Sequence, residues 1–377
     1  MKYFLAHKDL NQLLRCLTLQ GYHCMGPQVK NGAIVFDTLS NTDQLPWGIQ
    51  EQQQPGKYQL NKTELNRAFA WSNGPEAIKP LTFKPKESLW TVERDADGKL
   101  NFKPSEPKTK PVAILGARAC DLAGLAVQDR VFLEGEYVDK HYKAHRDNLF
   151  IIAVNCGYSA GNCFCVSTNT GPKANAGFDL VLTEIDTGFV LESGSERGNR
   201  IVEQLTCEPA KEENRQAAHA ETKRAVKMQT KAMPLKNSQQ LNAILKENLD
   251  HPRWEEVAER CLSCGNCTMV CPTCFCHHET ETPDLSGHNS NHAREWDSCF
   301  SAGHSYIHGK VIRDDTKSRY KQWLTHKLGS WWEQFDESGC IGCGRCVTWC
   351  PVGIDITEEM AAISGKTNVV DSEEEDK

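Results

Sequence analysis

The sequence predicts an α+β chain in two parts: an N-terminal mixed α/β domain, followed by a mainly α-helical, cysteine-rich domain. Three observations carry this reading. Residues 111–195 alternate apolar runs of strand length with a helical stretch. Two copies of one cysteine pattern lie far apart near the C-terminus, with helical stretches between them. The 377 residues suffice for two or three domains with buried cores, at roughly 150 residues per domain.

The elements follow in order. Residues 10–22, LNQLLRCLTLQGY, have helical spacing and end near Gly21. NGAIVFDTL, from Asn31, reads as a strand. The stretch 45–60 is rich in Gln, Pro and Gly and is expected to be a loop. Residues 90–97 followed by Gly98 read as a hairpin. PVAILGAR (111–118) is a buried-strand pattern, and 120–133 places Leu122, Leu125, Ala126, Val127 and Phe132 at helical intervals. LFIIAVN (149–155) is a second strand, so a strand, a helix and a strand imply a parallel unit. Residues 178–193 read as a hairpin around Asp186-Thr187-Gly188. The expected organisation is an α/β domain over 1–207, a charged linker helix over 208–254, a cysteine-rich helical domain over 255–365 and an acidic, disordered tail over 366–377.

Charge and composition exclude some functions. Lys plus Arg is 43, Asp plus Glu is 50, and the net charge is -7. A general nucleic-acid binder needs a basic surface to displace counterions, so nucleic acid is not an expected partner. No apolar run approaches the roughly 20 residues of a membrane span. The start, MKYFLAHKDLNQ, lacks the long apolar stretch of a signal peptide, so the expected location is the cytoplasm. In that compartment 18 cysteines point to metal rather than to disulfides.

Cys261-Leu-Ser-Cys264-Gly-Asn-Cys267-Thr-Met-Val-Cys271-Pro272 and Cys340-Ile-Gly-Cys343-Gly-Arg-Cys346-Val-Thr-Trp-Cys350-Pro351 are both C-x2-C-x2-C-x3-C-P. This is the spacing with which a chain wraps a [4Fe-4S] cubane. Three close thiolates cap one face. The small residues Ser263, Gly265, Gly342 and Gly344 let backbone N–H groups approach the sulfides. The fourth cysteine lies too far along to close the same cube and ligates the other one. The predicted ligands are Cys261, Cys264, Cys267 and Cys350 for one cluster, and Cys340, Cys343, Cys346 and Cys271 for the second. Zinc favours two C-x2-C pairs across a longer loop and fits this pattern badly. The stretch between the motifs is longer than in compact ferredoxins. Residues 306–312 and 319–335 within it read as helical, with Trp323, Trp331 and Trp332 as core around the clusters. The second part is thus expected to be a dicluster, ferredoxin-like domain.

A weaker constellation lies in the first part. Cys120 and Cys156 each follow a predicted strand, at the carboxyl ends where ligand sites of such sheets sit. Cys163 and Cys165 are on a Gly-containing loop just beyond. These four are read as ligands of a third [4Fe-4S] cluster, with a redox-active or zinc-binding thiol group and plain buried cysteines as the alternatives. Asp121 is read as the first-turn acid of a helix, substitution as a ligand being the alternative. Cys274, Cys276 and Cys299, with His277, His278 and His304, are read as groups packed beside a cluster, additional metal ligation being the alternative. Cys16, Cys24 and Cys207 lack partners at useful spacing. No dinucleotide fingerprint, phosphate-binding loop or haem-attachment motif is present.

CLSCGNCTMVCPTCFC, DSCFSAGHSYIHGK, YKQWLTHKLGSWWEQF and SGCIGCGRCVTWCPVGIDITEE resemble the C-terminal domain of the beta subunits of sulfhydrogenases, the NAD(P)-linked bidirectional nickel–iron hydrogenases. GARACDLAGLAVQDRVF and NCGYSAGNCFCVSTNTGPKANAGFDLVLTEID resemble the N-terminal part of the same subunits. The electron-transfer subunit of anaerobic sulfite reductase is similar in layout. The resemblance implies an electron-transfer subunit between a flavin subunit handling NAD(P)H and the large and small nickel–iron hydrogenase subunits. It also implies reversible H2 oxidation, with sulfur reduction in some members. Three other readings stand beside it: the same wiring role in an anaerobic sulfite reductase or another oxidoreductase, a chain that itself reduces sulfur at Cys120 and Cys163, and a purely structural metal module.

Overall fold

A computed structural model describes residues 1–234 and 238–366. The acidic run predicted to be a tail lies outside the described residues. The first part is built on an eight-stranded sheet. Its strand order is Glu208–Pro209, Lys2–Ala6, Gly188–Ser193, Leu180–Ile185, Leu149–Val154, Val112–Ala117, His23–Lys30 and Ala33–Thr38. The four strands from Leu180–Ile185 to His23–Lys30 run parallel, and the outer ones pair antiparallel. Every residue of Leu149–Val154 and Leu180–Ile185 is buried, as expected of central strands covered on both faces. One face packs on the helix Leu10–Leu19, through Leu10, Leu13, Leu14 and Leu17. The other carries the helix Ala119–Phe132, through Leu122 and Leu125. The parallel unit and the 178–193 hairpin are therefore as expected.

Two local expectations are corrected. The stretch 45–60 is not a loop: Ile49–Gln54 and Lys57–Lys62 form an antiparallel hairpin. Its Gln-rich strands bury Glu51 and Gln53, so the usual apolar alternation is missing. Residues 306–312 are not helical: Tyr306–Ile307 pairs with Lys310–Val311. His308 and Gly309 take φ of 49° and 82°, which suits a two-residue hairpin turn and breaks a helix. The charged stretch after residue 208 contains two helices, Glu212–Met228 and Ser238–Glu247. The first buries Ala218 beside Ile185 and Val190 of the sheet.

The cysteine-rich part combines helices with strands. Arg253–Arg260, Thr316–Thr325 and Ile356–Ser364 enclose a core of Trp254, Val257, Tyr320, Leu324 and Met360. A π-type turn over His326–Ser330 joins Thr316–Thr325 to the helix Trp331–Phe335. His277–Pro283 and Asn289–Trp296 form a hairpin. Asn289–Trp296 also pairs with Lys86–Arg94, which pairs with Leu100–Pro104. One four-stranded antiparallel sheet thus takes two strands from each part of the chain. The helix Ala119–Phe132 rests on the first cysteine motif: a Cβ on Gly124 would lie 2.8 Å from Pro272, and Gln128 Nε2 donates to Pro272 O at 3.0 Å.

Candidate metal centres

Both motifs fold alike. Ser263 and Gly265 have φ of 50° and 76°, and Gly342 and Gly344, at the same motif positions, have 63° and 73°. These left-handed residues turn the backbone back on itself between cysteines, and each motif then enters a short helix, Asn266–Met269 or Arg345–Thr348. Ser263 N–H points at Cys261 Sγ (3.5 Å) and Ile354 N–H at Cys350 Sγ (3.3 Å).

Two cavities result. One, of about 440 Å³, is lined by Cys261, Cys264, Cys267 and Cys350, with Tyr320, Trp323 and Phe300 on its apolar wall. The other, of about 340 Å³, is lined by Cys271, Cys340, Cys343 and Cys346, with Lys327, Phe164 and Ile356. The fourth cysteine of each motif lies with the first three of the other. Trp323 and Cys346 line both cavities, so the two are neighbours. Burial pushes the Cys267 and Cys346 thiols well up and the Cys340 thiol to about 12. Thiolates at such places require a metal or cation beside them. Two donors fit an anionic, sulfide-rich group in the first cavity: Tyr320 Oη and Trp323 Nε1 are buried and lack a hydrogen-bond partner. Among the described residues no three His, Cys, Asp or Glu side chains converge on a point where a single ion would sit. The four-thiol sets ring open volumes instead.

The second cavity is charged. Desolvation works against the Lys327 ammonium, yet the Cys271, Cys274 and Cys340 thiols outweigh it and hold its pKa above the usual lysine range. Its Nζ donates to Thr273 Oγ1 at 2.8 Å. Lys79 Nζ donates to the carbonyls of Met269 and Cys274, each at 3.3 Å. Arg345, between Gly344 and Cys346, pairs with Asp121 at 2.8 Å, and both are buried. Asp121 also caps the backbone N–H of Arg118 at 2.9 Å, which agrees with its reading as a first-turn acid.

Cys120, Cys156, Cys163 and Cys165 are all buried beyond the carboxyl ends of the adjacent parallel strands Val112–Ala117 and Leu149–Val154. Burial raises each thiol, and Cys156, Cys163 and Cys165 lie close enough to add mutual repulsion. Cys120 feels both Cys165 and Cys343. Gln229 Nε2 donates to Cys165 Sγ at 3.1 Å, and Asn73 Nδ2 approaches Cys163 Sγ at 3.7 Å. Arg118 and Arg345 act on Cys156, and Arg118 Nε and Arg345 Nη1 are buried without partners. Glu51, fully buried, receives N–H groups of Ser72 and Asn73, and burial carries its carboxyl up to about 7. The loop abuts the second motif: a Cβ on Gly342 would sit 2.7 Å from Cys165 Cα, and one on Gly344 would sit 2.1 Å from Asn162 O.

The remaining cysteines fall apart into groups. Cys16, Cys24 and Cys207 belong to the core of the first sheet. Cys274 bonds Cys271, and Cys276 bonds Cys299 and His304. His277 and His278 are exposed. The sequence reading missed Lys327, Arg345, Gln229, Glu51 and Asn73. Arg345 carried a signal: it is a large cation inside a motif otherwise built of small or apolar residues. Glu51 and Gln229 carried none, because only the tertiary fold brings them to the thiols.

Residues 260–354 match the 4Fe-4S dicluster domain family. With two cavities that each gather three cysteines of one motif and the fourth of the other, this defines an iron–sulfur electron-transfer protein. The Sulfhydrogenase 2 subunit beta of Pyrococcus furiosus is 30% identical over 290 residues, covering 74% of this chain and 79% of that one. The chain belongs to the sulfhydrogenase beta-subunit family. No solved structure matches it. Among the described residues no helix is long and apolar enough to cross a membrane.

Proposed function

We propose that this chain is the electron-relay subunit of a multi-subunit hydrogenase complex, holding [4Fe-4S] clusters on Cys261, Cys264, Cys267 and Cys350, on Cys340, Cys343, Cys346 and Cys271, and on Cys120, Cys156, Cys163 and Cys165. A flavin subunit handling NAD(P)H stands at one end of the relay and the nickel–iron large and small subunits at the other, the overall reaction being reversible H2 oxidation. The work sits in three regions: an α/β part over 1–207, a connecting stretch over 208–254 and a dicluster part over 255–365. The observation that carries the reading is the serial placement of three four-thiol sets. The first and second share Trp323 and Cys346 as walls. The second and third touch through Gly342 and Cys165.

A [4Fe-4S] cluster supplies one-electron storage at a potential tuned by charge, hydrogen bonds and exposure. The chain's own residues do the rest. Cysteines fix each position, and the left-handed residues bring backbone N–H groups inward. Arg118, Arg345 and Lys327 counter the anionic charge. The low exposure of Cys120 (8%) and Cys163 (6%) favours ligands over thiols that meet a sulfur substrate.

Iron and acid-labile sulfide per chain, measured after anaerobic purification, test the count. About twelve of each supports three cubanes, and about eight restricts them to the two cavities. Co-purification of a nickel-containing large subunit tests the complex; a sirohaem subunit in its place would move the chain to a sulfite reductase.

A further inference from the structure

The hairpin of His277–Pro283 and Asn289–Trp296 closes at its base with His277 opposite Trp296. Cys276 immediately precedes the first strand, and Cys299 follows the second by three residues. Asp297 N–H donates to Cys276 O at 2.9 Å and continues the pairing one step. This geometry brings the Cys276 and Cys299 thiols into mutual hydrogen-bond contact. His304, from the next turn, bonds the Cys276 thiol. Its Nδ1 lies 2.8 Å from Asp297 Oδ2, and Asp297 is itself fixed by the N–H of Ser298 at 2.7 Å. Neither cysteine lines either of the two cavities described above, and neither belongs to a C-x2-C-x2-C-x3-C-P motif. Both are half-buried, so reagents and protons reach them. Phe300, the residue after Cys299, forms part of the first cavity's wall.

The chemistry of the group is that of a paired thiol. Cys276, Cys299, His304 and Asp297 do not converge on a single-ion position among the described residues. The two sulfurs face each other instead. Bonds from Cys299 and His304 hold the Cys276 thiol well below its usual range, while the same pairing raises Cys299. The bond to Cys276 and the Asp297 carboxylate lift His304 to about 9. Lys327 and His326 face Cys276 from the π-type turn, and His278 faces Asp297. A low-pKa thiol with a second thiol beside it has the form of an attacking and a resolving cysteine.

We propose that Cys276 and Cys299 form a reversible dithiol–disulfide couple beside the first cavity: a two-electron centre in a chain whose other centres carry one electron each. The proposal rests on the reading of the cavities as [4Fe-4S] sites. In the oxidising direction one S–S bond forms between the two sulfurs. Cys276 enters as the thiolate paired with the His304 imidazolium, the Cys299 proton leaves to solvent, and two electrons go singly to two oxidised [4Fe-4S] clusters. Reduction reverses each of these. Asp297 steadies the imidazolium and is a positioning residue.

The test is an anaerobic redox titration of the cluster-loaded complex, quenched at each potential with N-ethylmaleimide under denaturing conditions and read by peptide mass spectrometry. The expected result is a Cys276–Cys299 disulfide peptide that appears and disappears reversibly. Its ratio to the dithiol should change tenfold for each ~30 mV, the slope of a two-electron couple. In Cys299→Ser, Cys276 should be alkylated at every potential with iron content unchanged. In His304→Gln, the pH at which alkylation of native Cys276 is half-maximal should move up by about one unit or more, a tenfold change in its acid dissociation. Two free thiols at every potential would overturn the proposal. So would zinc, or iron beyond the cubane complement, that is lost in Cys276→Ser. Absence of iron from the wild-type complex would overturn the cluster reading instead, and the titration still reports on the dithiol in that case.

Discussion

The two cavities come from the same twelve-residue pattern, yet they lie in different surroundings. The first opens toward the surface: Cys264 is exposed, Leu262 stands 63% exposed beside it, and the wall is aromatic and uncharged. The second is shut in by Phe164, Ile341 and Ile356, touches the N-terminal loop and carries the buried Lys327. The motif spacing sets what is held, and the surroundings set how readily it takes an electron. A lower potential and a docking-accessible edge are therefore expected for the first cavity, and a higher potential for the second, which leads inward.

Exchange of the fourth ligands breaks the comparison most directly. Cys350→Ala should remove about four irons and the paramagnetic signal of the first cavity, and Cys271→Ala those of the second. Iron analysis with electron paramagnetic resonance reads this; signals lost in the opposite order would show each motif closing its own cube. The next effect concerns what locks the second cavity to the α/β part. Arg345→Met leaves the buried Asp121 carboxylate without its countercharge, and unfolding stability should fall by about 3–5 kcal/mol, seen as a lower urea midpoint.

Glu51 gives a pH-dependent contrast between the N-terminal thiol set and the two cavities. Its carboxyl titrates near 7 in the fold, against an ordinary glutamate value of 4.5. The folded state thus holds its proton more tightly, and stability is lost as pH rises from about 5 through 7, by at most ~3 kcal/mol. Urea midpoints at pH 5.5 and 8 should differ less in Glu51→Gln than in the parent. The smallest effect sharpens the electrostatic contrast. A unit charge ~8 Å away, at an effective dielectric of ~20, is worth about 2 kcal/mol, or about 90 mV on a one-electron centre. Lys327→Met should lower the second potential by up to that amount and leave the first within error.

Much of this was legible in the sequence because it is local. The repeated cysteine spacing, the parallel strands followed by Cys120 and Cys156, and the hairpin at Asp186-Thr187-Gly188 each depend on neighbours along the chain. The hairpin over 49–62 was hidden because its buried face carries Glu51 and Gln53, which bond Ser72 and Asn73 rather than an apolar core. The pairing of Lys86–Arg94 with Asn289–Trp296 joins residues about two hundred positions apart, and no local pattern specifies such a partner. Lys327 sits in a helical stretch where a lysine ordinarily faces water. Only the turn over His326–Ser330 directs it inward.

The shared four-stranded sheet has a consequence for anyone wishing to use the cysteine-rich half as a portable electron carrier. A fragment cut near residue 255 would lose Lys86–Arg94 and leave one long edge of Asn289–Trp296 with open N–H and C=O groups. Such an edge recruits strands from other copies. The excised half is expected to self-associate unless residues 86–104 are grafted back, so the minimal transferable unit is discontinuous in sequence.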